Sequence, residues 1–184
     1  GAGYEVKGTL PALLARRALN RGIESMAVSE DEKFLYFVLQ NPLANPDNDT
    51  YADAANARLF KLDRATMQVA GEYVYVMEPT SAYRGEEKKK QNTVRISELM
   101  HLSGDDLLIL AGPTMDLDGP VVLYRWHDAW NQREETVIPR TRLERVMDIP
   151  YGAGFDHAEG ATLFERPGGP PAVLVVYDNP GPER

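Results

Sequence analysis

Three glutamates stand at the heads of apolar segments in this sequence: Glu24 in RGIESMAVS, Glu98 in VRISELMHL and Glu159 in HAEGATLFE. The first two segments open near a basic residue, Arg21 or Arg95, and pass through a turn rich in Ser, Gly, Asp and Glu. Each then enters a strongly apolar strand that stops at Pro42 or Pro113. Carboxylates brought together repel unless something positive sits among them: a metal ion, an arginine or a basic group of a substrate. Alternatively, each glutamate accepts hydrogen bonds from a neighbouring strand's backbone and pairs with Arg21 or Arg95. Both uses fit the pattern.

Hard oxygen donors in convergence suit Ca²⁺. The run TMDLDG adds Asp116 and Asp118 to Glu24, Glu98 and Glu159 as the expected ligand set. The D-x-D-G run lacks the spaced donors of an EF-hand loop, so a tight turn capped by its aspartates is the competing reading. His157 lies in FDHAEG, two residues before Glu159, and on a strand the two side chains would share a side. That pair could act as a general base, or His157 could be structural. The expected catalytic set is therefore Glu24, Glu98, Arg95, His157 and Glu159. The chemistry would be phosphoester hydrolysis by a metal-activated water, with Arg21 and Arg95 gripping phosphate oxygens. Their alternative role is to neutralise Glu24 and Glu98.

Other chemistries are excluded or unsupported. There are no cysteines, which rules out disulfides, thiolate metal sites and cysteine nucleophiles. No G-x-S-x-G elbow, P-loop or dinucleotide glycine pattern occurs. A net charge of −8 argues against a nucleic-acid backbone as partner. No apolar run is long enough for a membrane-spanning helix. The chain opens on Gly1 without a signal-peptide pattern and reads as a processed or excised piece.

The elements that would position these residues are short and β-rich. Residues 4–20 read as a strand, YEVKG, followed by one helix with Leu10, Leu13, Leu14 and Ala18 on a single face. IESMAVS, KFLYFVLQ, ARLFKLD and GEYVYVM then form one antiparallel unit. The charged loop RGEEKKKQN leads to VRISELMHL, DLLILAG, VVLYRWHD and either ETVIPRT or ERVMDIP. A third round begins with HAEGATLFE and PAVLVVYDNP.

Glu98 follows Glu24 by 74 residues and Glu159 follows Glu98 by 61, the sign of a repeat. Four-stranded units repeated around an axis make a β-propeller, whose first strands line the centre. The glutamates would then hold matching places on three first strands. The expected fold is all-β: a single partial β-propeller of about two and a half four-stranded antiparallel blades with one short N-terminal helix. Its units are 21–78, 93–150 and 155–184, preceded by the strand and helix of 4–20. Trp126, Trp130, Tyr124, Tyr73 and Tyr75 belong to packing between units.

Several separated motifs also carry a family likeness. Asn20, Arg21, Gly22 and Glu24, the strand end Gln40–Asn41–Pro42, and Arg95 with Glu98 match, in order, segments of the bacterial phytase-like esterases, which this chain resembles over residues 4–110. That resemblance implies a β-propeller, a periplasmic or secreted location, and a phosphatase or esterase label. From residue 111 onward, AGPTMDLDGPVVLYRW, FDHAEGATLFE and VLVVYDNPGPER are more similar to a second bacterial family of unknown function, also a propeller. The two halves read as a natural mosaic, a recombinant or a fragment of a longer chain. Two copies could complete a ring, with the N-terminal strand pairing with the last unit. Two functions follow: a phytase-like or esterase-like hydrolase with an acidic hub, or a non-catalytic propeller module for binding or assembly.

Overall fold

The computed structural model describes residues 11–18, 21–44, 53–85, 91–113, 117–131, 136–149 and 158–177. Alternating apolar side chains in these segments produce strands with two buried faces. The first sheet is a meander of β1 (Ile23–Val28), β2 (Phe34–Leu39), β3 (Asn56–Asp63) and β4 (Val69–Val76), antiparallel and in chain order. A ribbon of β5 (Arg84–Gly85) and β8 (Leu117–Asp118) lies outside the larger sheets. The second sheet is formed by β6 (Val94–His101), β7 (Leu107–Pro113), β9 (Val121–Trp126) and β10 (Leu143–Ile149), again ordered by sequence. The strands β11 (Ala158–Phe164) and β12 (Ala172–Tyr177) make a hairpin.

The fourth strand of the second sheet is LERVMDI. ETVIPRT instead places Val137 in a bridge with Val74 of the first sheet. There the Val74 N–H donates to the Thr136 carbonyl at 2.6 Å and the Ile138 N–H to the Val74 carbonyl at 2.9 Å.

The sheets stack face to face, and β1 lies beside β6 as β6 lies beside β11. Period-two alternation assigns each strand's residues to one interface or the other. Tyr36, Val38, Ile109, Val122, Tyr124 and Trp126 fill the space between the two four-stranded sheets. Leu108, Leu110, Val121 and Leu123 point the other way, onto Leu163, Val173 and Val175 of the hairpin. The first interface is an aromatic cluster, as the sequence indicated: Tyr36 packs 5.6 Å from Trp126 and 4.7 Å from Trp130, and Tyr73 lies 5.2 Å from Trp126.

Among the described residues the expected N-terminal helix is one five-residue 3-10 turn, Ala12–Arg16, and the strand expected at 4–8 lies outside them. Arg17 leaves the helical path to bridge Leu43, and the Ala44 N–H donates to the Arg16 carbonyl at 2.9 Å, so strand-like pairing replaces the next helical turn. The apolar face survives the change of conformation. Leu14 is buried with Phe37, Leu39, Phe60 and Leu62, covering the outer face of the first sheet.

Candidate functional site

Each strand that opens a sheet or the hairpin contains a β-bulge at its head. Pairing skips one residue in all three: Glu24 between Ile23 and Ser25, Ser97 between Ile96 and Glu98, and Glu159 between Ala158 and Gly160. The glutamates therefore do not hold equivalent places, contrary to the motif alignment. Glu24 and Glu159 occupy the bulge. Glu98 occupies the next position, where β1 has Ser25 and β11 has Gly160. The Arg-x-x-Glu spacing is the same in the first two units, but strand register follows the buried face rather than the motif.

This offset brings Glu98 into contact with both neighbours. The Ser25 hydroxyl of β1 donates to Glu98 Oε1, and the Leu99 N–H donates to the same oxygen at 3.1 Å. The Ala161 backbone of β11 also favours the charged form of the Glu98 carboxyl. Ser25 in turn accepts from the Leu99 N–H at 3.0 Å. Burial raises the Glu98 carboxyl above its ordinary range; the Leu99 and Ala161 N–H groups oppose that rise and the Glu24 charge adds to it.

Glu24 is exposed, yet enough protein surrounds it that desolvation raises its carboxyl as well. Arg95 is the strongest opposing influence, whereas the nearby Glu159 pushes in the same direction as burial. Gln40 Nε2 donates to Glu24 Oε1 at 2.8 Å, and Arg21 donates to Gln40 Oε1 at 2.7 Å. Gln40 and Asn41 also tie β2 to β6: the Ile96 N–H donates to the Gln40 carbonyl at 3.0 Å, and Asn41 Nδ2 to the Val94 carbonyl at 3.2 Å. Arg95 is buried and pairs with Glu159 at 2.7 Å, linking β6 to β11.

The structure thus brings Glu24, Arg95, Glu98 and Glu159 together. His157 and Asp116 lie outside the described residues, and Asp118 contributes its backbone to β8 through pairing with Arg84. Among the described residues no group of three or more His, Asp or Glu is arranged to hold a metal ion. Glu24, Glu98 and Glu159 each accept from a protein donor: Gln40, Ser25 and Arg95. The residues missed by sequence reading are Ser25 and Gln40. Ser25 adjoins Glu24 in sequence, but its bond to Glu98 depends on a bulge that no residue pattern announces.

Residues 85–184 match the model of a family described as protein of unknown function, DUF3616. The match takes in more than half of the chain, which therefore belongs to that family. It starts ahead of β6 and so includes Arg95, Glu98 and Glu159. No curated protein and no solved structure matches the chain.

Proposed function

We propose that this chain is a β-propeller-type module for binding or assembly, whose glutamates clasp the first strands of successive units. The observation that carries this reading is Glu98, which stands on β6 and accepts from the Ser25 hydroxyl of β1, while the Ala161 backbone of β11 favours its charged form. Arg95–Glu159 supplies a second tie between β6 and β11. A half-buried carboxylate oxygen engaged by the Ser25 hydroxyl and the Leu99 N–H is used in holding strands together, which favours a structural role. Association of two copies to complete a ring belongs to the same reading; Phe164, Leu174 and Val176 on the hairpin are exposed apolar residues that such contact would cover. Light scattering on a sizing column tests it: a discrete dimer supports ring completion, and a monomer at all concentrations removes self-association.

A second reading is favoured by Glu24 alone, an exposed carboxyl raised in pKa near a buried arginine. With the likeness to phytase-like esterases, it makes Glu24 a general acid and Arg95 a phosphate ligand of an exported phosphoester hydrolase. Release of p-nitrophenol from its phosphate or acetate ester, lost in Glu24→Gln, would support this reading. Absence of turnover with and without added Ca²⁺, or equal turnover in the variant, would remove it. Asp116 and Asp118 are the ligands to replace if Ca²⁺ raises turnover.

A further inference from the structure

Register relates the three units residue by residue. Counted from the bulge, Met26 of β1, Leu99 of β6 and Ala161 of β11 hold one place, and they pair with Phe37, Ile109 and Val175 of the next strand. Leu99 and Ile109 pack between the two four-stranded sheets, and Ala161 and Val175 pack onto the outer face of the second sheet. This is the face that each unit turns toward the unit before it. In the first sheet Leu14 covers Phe37, while Met26 stands 60% exposed with Val28 beside it.

The alternate residues make the opposite face. Tyr36 and Val38 of β2, Leu108 and Leu110 of β7, and Leu174 and Val176 of β12 hold matching places. The first pair lies against the second sheet and the second pair against the hairpin, whereas Leu174 and Val176 stand 57% and 60% exposed. The two ends of the stack thus present the two opposite faces of one repeated contact, and among the described residues no sheet precedes β1 or follows β12. Large apolar residues left exposed at both ends mark contact surfaces. Because the two faces differ, each fits the other rather than itself, and contacts of that kind are heterologous. We propose that the Leu174 and Val176 face of one copy packs on the Met26 and Val28 edge of the first sheet of a second copy, as Leu108 and Leu110 pack on the hairpin within one chain. The inference rests on the self-association in the module reading and adds which surfaces meet.

Light scattering across a dilution series tests the assignment, on the full chain and on two variants: Met26→Glu, and Leu174→Glu with Val176→Glu. All three positions are exposed, so circular dichroism spectra should stay unchanged. Each variant alone should raise the dissociation constant of the wild-type assembly about tenfold or more. Mixed one to one, the variants should associate again, since the intact hairpin of the first meets the intact β1 edge of the second; that recovery requires both to be folded. Wild type that is monomeric at every concentration removes self-association and this inference together. Wild-type association that either variant leaves unchanged overturns the inference alone, as does a mixture no more associated than the variants apart.

Discussion

Glu98 joins two strands through one side chain: it stands on β6 and accepts from the Ser25 hydroxyl of β1, while the Ala161 backbone of β11 favours its charged form. Burial sets its ionisation and that of Glu24 above the ordinary glutamate value of 4.5. A carboxyl raised on folding holds its proton more tightly in the folded chain. Its stabilising contribution is therefore full below the unfolded value and falls as the pH rises through the folded one. Replacing both with glutamine removes this dependence. The Glu24→Gln, Glu98→Gln variant should lose less stability than the wild type as the pH rises above the ordinary glutamate value of 4.5 in urea titrations. Equal losses would show that neither carboxyl is raised. At this scale the sequence marked Glu24, Arg95, Glu98 and Glu159 as residues that meet. It also offered acceptance from a neighbouring unit's backbone and arginine pairing as their alternative use, and Glu159 is found paired with Arg95. Ser25 and Gln40 stayed hidden because their roles depend on partners in a different strand.

Among the elements, the bulged heads of β1, β6 and β11 matter most, since each bulge shifts the register by one residue and re-aims the side chains around it. Strands were legible because buried sheets demand apolar alternation, and FLYFVL, LLILAGP and VVLYRW are nearly continuous apolar runs. The register was not, because a bulge adds a residue without changing composition. The N-terminal helix misled for a related reason. Leu13, Leu14 and Ala18 announce a buried face, but whether that face is carried on a helix or on a single 3-10 turn is decided by the pairing of Arg17 with Leu43. Close approach of β7 to β9 gives an element-scale prediction. A Cβ at Gly112 would lie 2.7 Å from Val121 Cα, a backbone atom that cannot rotate away. Gly112→Ala should cost roughly 1–3 kcal/mol in urea denaturation, whereas Gly22→Ala, with nothing within 4 Å, should stay within about 0.5 kcal/mol. Equal effects would mean that β7 and β9 are not so closely apposed.

For the molecule as a whole, the layers run from the N-terminal segment over the first sheet to the second sheet and on to the hairpin, with an apolar interface at each step. Repeated unit length and recurring strand order made this stacking readable from sequence. The polar ties beside those interfaces were harder to read, since Ser25–Glu98 and Arg95–Glu159 join residues more than sixty positions apart. These ties hold the first strands in line, with apolar packing supplying most of the driving force. A double-mutant cycle on Ser25→Ala and Glu98→Ala, read by urea denaturation, tests that claim most directly. The clasp predicts that the two losses fall short of adding by about 1 kcal/mol or more, because either substitution alone breaks the same bond. Losses that add to within about 0.3 kcal/mol would mean that Ser25 and Glu98 act independently, and the clasp would be contradicted.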